Sequence, residues 1–208
     1  MDYFPIFTNL SEKHCLLVGG GDVAERKLSL LLDAGARVTL VAPSINESIK
    51  SMNVASLNLI EANYNSRLMN AIDLVIAATD DQVLNETISL DAAERHIFVN
   101  VVDSPNLCTF IVPAIIDRSP VTIAVGTGGT APVLARLLRG KIEALIPHRY
   151  GALAGLAAKY RDRVKAAVPK GPSRKAFWEE VFEGDVAEQV LCGNQEAAEK
   201  QLQELIEE

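Results

Sequence analysis

Three consecutive glycines, Gly19-Gly20-Gly21, stand directly after an apolar, strand-like segment, His14–Val18, and directly before a helical one, Ala24–Ala34. That placement restricts the fold more than any other feature of the chain. Ala24, Leu28, Leu31 and Leu32 recur at helical spacing with Glu25, Arg26, Lys27 and Asp33 turned outward, and Gly35 ends the segment. A second strand, Arg37–Val41, completes a βαβ unit, the building block of a parallel sheet. Gly19-Gly20-Gly21-Asp22-Val23-Ala24 therefore has the G-x-G-x-x-A form of a dinucleotide fingerprint in the context that form requires. Gly19 permits the tight turn, and Gly21 lets the backbone approach a pyrophosphate. The N–H groups and dipole of the helix N-terminus then stabilise that anion, while Ala24 lets helix and strand pack closely. A structural glycine turn without a ligand is the alternative.

The alternation continues through Ser56–Glu61, Leu74–Ala78, Ile97–Val102 and a short Phe110–Val112, all read as strands, with Val83–Arg95 as a second crossover helix. A doubly wound, Rossmann-type α/β sheet is expected for residues 1–112. From Pro113 the character changes. Ile115-Ile116-Asp117-Arg118-Ser119-Pro120 leads into a strand, Val121–Val125, then into the loop Gly126-Thr127-Gly128-Gly129-Thr130. A helix follows, with Pro132 in its first turn and Val133, Leu134, Leu137 and Leu138 on one side. Beyond it Gly151–Ala167, Arg174–Phe182 and Asn194–Glu208 read as helices of a small C-terminal helical domain. The expected organisation is a nucleotide-binding domain over 1–112, a dimerisation region over 113–147 and a helical domain over 148–208.

The second strand ends Val41-Ala42-Pro43-Ser44, without the acidic residue that usually binds the cofactor ribose there. No Arg or Lys within Ala42–Asn46 offers to hold a 2′-phosphate, which favours NAD over NADP; Ser44 and nearby backbone can stand in for the carboxylate. Thr79-Asp80-Asp81 follows the fourth strand. Asp80 and Asp81 read as helix caps, with Thr79 beside the cofactor. Asp103, at the end of Asn100-Val101-Val102-Asp103 and ahead of Ser104-Pro105, is the best general-base candidate, a turn-initiating Asp being the alternative. Gly126–Thr130 could cradle an anion or serve as a flexible connection. His14, His96 and His148 are scattered and pair with no cysteine at ligand spacing, so no resident metal is expected.

Hydrophobic residues make up 49% of the 208, and the longest apolar runs, such as Leu74–Ala78, fall far short of the roughly 20 residues of a membrane span. No membrane association is expected. The N-terminus lacks the basic and apolar regions of a secretory signal, and Cys15, Cys108 and Cys192 form no C-x-x-C pair, pointing to the reduced cytoplasm. The net charge of −7 hides a division. Residues 1–130 carry 8 Lys/Arg against 15 Asp/Glu, residues 131–178 carry 11 against 2, and residues 179–208 carry 1 against 10. The basic middle reads as an anion-binding surface or as a solvated face partly neutralised by its acidic neighbour. Nucleic acid is not an expected partner, since the stretch has no recognised binding motif.

Taken together, several blocks resemble the N-terminal module of bacterial sirohaem synthase, the precorrin-2 dehydrogenase and sirohydrochlorin ferrochelatase family. They are Phe4-Pro5-Ile6-Phe7, Leu17 to Lys27, Ala77-Ala78-Thr79-Asp80-Asp81, Asn100-Val101-Val102-Asp103, Phe110 to Pro120 and Gly128 to Arg139. The resemblance implies NAD-dependent oxidation of precorrin-2 to sirohydrochlorin, often followed at the same site by insertion of ferrous iron, a substrate rather than a resident metal. It implies a homodimer that exchanges residues of about 113–147. Asp103 corresponds to the essential acid/base residue, and Asp22-Val23 and Pro43-Ser44 to cofactor contacts. The family's serine-rich loop is here Gly126-Thr127-Gly128-Gly129, where Thr127 keeps a hydroxyl. The methyltransferase domain of the fused enzymes is not contained in these residues.

The expected cofactor-binding residues are thus Gly19, Gly20, Gly21, Asp22, Val23, Pro43, Ser44 and Thr79. Asn100, Thr127, Gly128 and Arg136 are expected to bind the tetrapyrrole substrate, and charge reversal at Arg136, Arg139 or Lys141 should weaken that polycarboxylate more than NAD. Two other functions remain open from the residues alone: a dehydrogenase without chelatase activity, and a non-catalytic NAD-sensing module that binds no tetrapyrrole. A dehydrogenase for a small hydroxy acid lacks the usual Lys or His companion in the sheet-edge motifs.

Overall fold

The computed structural model describes residues 3–207 and divides into two compact units, 1–112 and 113–208. In the first, five strands form a parallel sheet in the order β3-β2-β1-β4-β5: β1 (His14–Val18), β2 (Arg37–Ala42), β3 (Leu57–Glu61), β4 (Leu74–Ala77) and β5 (Phe98–Val101). The chain builds outward from β1 to β3, then crosses to the other side of β1 for β4 and β5. That reversal puts the topological switch point between β1 and β4. The strands are almost continuously apolar because both faces are covered. Cys15, Leu17, Val38, Leu40 and Ile76 pack with Ala24, Leu28 and Leu31 of α1 (Asp22–Asp33). Leu16, Val18, Val75, Val99 and Val101 pack on the opposite face with Ile88 and Ala92 of α3 (Gln82–Glu94). A short α2 (Glu47–Lys50) connects β2 to β3.

The doubly wound sheet expected from the sequence is present, with one exception among its strands. Phe110–Val112 is not a strand. The Thr109 hydroxyl accepts the Val99 N–H at 2.8 Å, and the Thr109 N–H donates to the Val99 carbonyl at 2.8 Å. A side chain thus occupies the β5 edge where a sixth strand would have laddered.

In the second unit, β6 (Ala114–Arg118) and β7 (Val121–Val125) form an antiparallel hairpin with Arg118 opposite Val121. β6 was not expected from the sequence, where Asp117-Arg118-Ser119-Pro120 masks it as a turn approach. Asp117 explains the tightness of the reversal: its carboxylate accepts both the Ser119 N–H, at 2.8 Å, and the Ser119 hydroxyl, at 2.6 Å. α4 (Pro132–Glu143) follows, and α5 (Arg149–Ala167), α6 (Pro172–Glu183), α7 (Asp185–Cys192) and α8 (Gln195–Glu207) share a core of Leu153, Leu156, Tyr160, Val181, Val190 and Leu202. α7 was also missed from sequence, being a two-turn helix between Gly184 and Gly193. The apolar side of α4 is open: Val133, Leu134, Leu137 and Leu138 are 38 to 59% exposed, and Ala135 is the buried residue of the helix. No described helix is long and apolar enough to cross a membrane, and all three cysteines are free.

Candidate active site

The carboxyl edge of the parallel sheet gathers most of the residues singled out in the sequence. Gly19 follows β1, Pro43 and Ser44 follow β2, Thr79 follows β4, and Asp103 follows β5. The three glycines are needed for different reasons. Gly19 has φ +129°, and a Cβ there would overlap the Ala78 carbonyl. One at Gly20 would overlap the Ser44 carbonyl and crowd Ile45 and Ala42. Gly21 has extended backbone and nothing within 4 Å of where its Cβ would stand. The first two glycines therefore close the turn against its neighbours. The third opens the α1 N-terminus, where a pyrophosphate would meet free N–H groups.

The absent ribose carboxylate has a structural counterpart. The Asn46 N–H donates to the Gly20 carbonyl at 2.9 Å, and Asn46 Nδ2 donates to Asp22 Oδ1 at 2.8 Å. These bonds tie the loop after β2 to the glycine turn and turn the Asp22 carboxylate toward Asn46. Pro43 and Ser44 lie exposed beside it. The glycine turn and the open α1 N-terminus thus have the shape a dinucleotide pyrophosphate needs, with Pro43 and Ser44 exposed beside them.

Thr79 is engaged within the protein. Its hydroxyl donates to Asn85 Oδ1 at 2.8 Å, and Asn85 Nδ2 returns a bond to the Thr79 carbonyl at 3.0 Å. Asn85 is buried, so this pair locks the end of β4 to α3. Asp81 is the α3 cap, accepting the Leu84 N–H at 3.0 Å.

Asp103 stands on a left-handed turn, φ +58°, anchored by the Val102 N–H to the Ala77 carbonyl at 2.9 Å and the Ser104 N–H to the Val101 carbonyl at 3.2 Å. Its side chain is exposed. A non-glycine residue in this region is strained, a conformation that recurs at functional sites. The surrounding loop is held by residues that sequence reasoning did not assign to this task. Asn100 is buried and donates to the Phe110 carbonyl at 3.0 Å. Cys108 Sγ accepts the Val101 N–H at 3.1 Å and lies within donating distance of the Val101 and Ser104 carbonyls. Burial pushes the Cys108 thiol up, which keeps it protonated and able to donate. The Asn100 amide thus supports the Asp103 turn through Phe110 and Cys108 rather than by a bond to it.

Lys27 is a further residue not expected at the site. It is half-buried, not turned fully outward as the helical spacing suggested. Burial first, then Arg26, draws its ammonium below the ordinary lysine range, while Asp103 and Cys108 act against that shift. Only tertiary packing reveals this, since Lys27 and Asp103 lie on different elements.

In the second unit Thr127 Oγ1 accepts the Ala131 N–H at 3.3 Å, its carbonyl accepts the Thr130 hydroxyl at 2.6 Å, and Gly128 and Gly129 both have positive φ. The loop is a closed turn leading into α4. Arg136 is exposed. Arg139 is not free for a ligand: it donates to the Ile115 carbonyl at 2.9 Å and pairs with Glu143, which also pairs with the buried Arg118. Among the described residues no cluster of three or more His, Cys, Asp or Glu side chains could hold a metal.

Three family models cover most of the chain. One described as "Putative NAD(P)-binding" matches residues 6–114, "Sirohaem biosynthesis protein central" matches 118–145, and "Sirohaem synthase dimerisation region" matches 149–206. The word dimerisation thus falls on the helical segment in that description. The chain is 49% identical over 207 residues to a siroheme synthase of Methylobacillus flagellatus, covering 99% of this chain and 44% of that protein. It is 49% identical over 207 residues to siroheme synthase 2 of Pectobacterium atrosepticum, covering 99% and 45%. The chain therefore spans less than half the length of these curated relatives. Among solved structures it shares the fold of SirC, a precorrin-2 dehydrogenase, with a TM-score of 0.76 at 20% identity over 97% of this chain and 100% of that one.

Proposed function

The chain belongs to the family of the sirohaem synthase N-terminal module, and from that premise we propose that it oxidises precorrin-2 to sirohydrochlorin with NAD as the hydride acceptor. The observation that carries this is the meeting, at one sheet edge, of an open glycine cradle and an exposed aspartate on a strained, braced turn. In the reaction one hydride and one proton leave the macrocycle. NAD, when bound, supplies the hydride acceptor. Gly21 and the α1 N-terminus hold the pyrophosphate, Pro43 and Ser44 border the ribose, and the Thr79–Asn85 pair fixes the strand end beside it. Asp103 takes the proton, and Asn100 and Cys108 keep its turn in place. Thr127, Gly128 and Arg136 contribute to substrate binding. Ferrous iron is a second substrate in this proposal: inserting it displaces two pyrrole protons, and the exposed Asp103 carboxylate can accept such a proton.

The exposed apolar face of α4 supports a homodimer. A two-stranded hairpin is marginal alone, and burying four Val and Leu side chains beside it under a second copy would stabilise both. Free cysteines accord with a cytoplasmic location.

Asp103→Asn tests the reading, because it removes the base and keeps the shape. Turnover of precorrin-2 should fall by about 100-fold or more while NAD affinity stays within about twofold. Iron insertion should fall as well. Turnover at the unsubstituted rate would remove Asp103 from the chemistry, and unimpaired iron insertion alone would detach it from that second step.

A further inference from the structure

We propose that the Lys27 ammonium docks one carboxylate of the anionic macrocycle beside Asp103, an inference that rests on the dehydrogenase reading above. The phase of α1 places it there. Ala24, Leu28 and Leu31 face the sheet, and Glu25 on one flank accepts a hydrogen bond from Ser48 Oγ on the β2 side. At about 100° per residue, Lys27 lies on the opposite flank, toward β4 and β5. Val102 and Phe110, which bracket the Asp103 loop, pack against the same cluster as Ala24, Leu28 and Leu31. The lysine flank and the aspartate loop therefore adjoin.

The charged and titratable groups acting on Lys27 are Arg26, Asp103 and Cys108, and among the described residues its ammonium donates a hydrogen bond to none of them. A half-buried ammonium without an acceptor has lost hydration it has not replaced, so an anionic ligand is its natural partner. The cofactor pyrophosphate belongs at the helix N-terminus, while Lys27 stands five residues further on, about 7.5 Å along the axis. The nicotinamide of oxidised NAD is cationic and would be repelled. A substrate carboxylate remains, and it needs such a partner, since a polycarboxylate approaching Asp103 meets repulsion that an adjacent ammonium offsets.

The test compares Lys27→Met and Lys27→Arg with the unsubstituted chain in steady-state oxidation of precorrin-2 and in spectroscopic titration with sirohydrochlorin without NAD. For Lys27→Met, KM for precorrin-2 and Kd for sirohydrochlorin should each rise about tenfold, with KM for NAD within about twofold. Salt should weaken macrocycle binding less steeply than in the unsubstituted chain, and Lys27→Arg should recover most of the affinity. Unchanged macrocycle affinity, or a loss confined to NAD, overturns the proposal. Should Lys27→Met lower the melting temperature or fail to bind NAD, Lys27→Gln carries the same comparison. An unsubstituted chain that binds no sirohydrochlorin refutes the dehydrogenase reading itself, whereas binding that ignores Lys27 refutes only this inference.

Discussion

Gly19 and Gly21 stand two residues apart and answer to different demands, so substitution separates fold from ligand. Gly19→Ala puts a side chain at φ +129° against the Ala78 carbonyl and should cost roughly 3 kcal/mol or more in denaturant unfolding. Gly21→Ala meets only open space. It should change stability by no more than about 1 kcal/mol yet weaken NAD, measured by calorimetry, about tenfold. The glycine pattern was readable in the sequence because strand, turn and helix are consecutive, so a local rule suffices. Asp103 was readable for the same reason, standing at the end of an apolar strand. Lys27 and Cys108 were not, since their relation to Asp103 exists only after α1 and the loop following β5 have packed against the sheet. Asn100 was expected at the substrate; in the structure it is buried and its Nδ2 donates to the Phe110 carbonyl.

Among the elements, β1 carries a pH dependence that belongs to the fold. Cys15 is fully buried between β2 and β4, and burial, helped by Asp73, pushes its thiol from 9.0 up to about 11. The folded state thus holds its proton more tightly than the unfolded chain. This contribution is complete below pH 9 and is lost as pH rises toward 11. Unfolding free energy should fall over that window, and Cys15→Ala should flatten the fall while lowering stability at neutral pH; an equal slope in the variant would assign the dependence elsewhere. Elements with clear local patterns were legible, namely the five parallel strands, α1, α3 and α4. β6 was hidden because its pairing partner is reached through a turn rich in charge and Pro, and Phe110–Val112 was misread because apolar residues alone do not reveal that Thr109 has already taken the Val99 backbone groups.

At the scale of the whole molecule, a basic stretch lies between acidic ends of the sequence, and the structure shows which of its charges are already used. Arg139 is tied to Ile115 and Glu143, and Lys159 to Glu199, whereas Arg136 and Lys141 are exposed. Arg136→Glu should raise KM for the macrocycle severalfold and leave NAD unaffected; Arg139→Glu should instead lower the melting temperature by breaking the Glu143 pairs. The open face of α4 makes a matching prediction for assembly. Leu137→Glu should convert a dimer to monomer in analytical ultracentrifugation, and a dimer that survives it would place the interface elsewhere. The proposed function rests on one reaction, the oxidation of a tetrapyrrole with NAD. The direct measurement is to mix the purified chain with precorrin-2 and NAD and follow sirohydrochlorin and NADH together by absorbance. The account predicts that the two appear in equal amounts and that neither appears when NAD is withheld; NAD that binds while precorrin-2 stays unoxidised would contradict it.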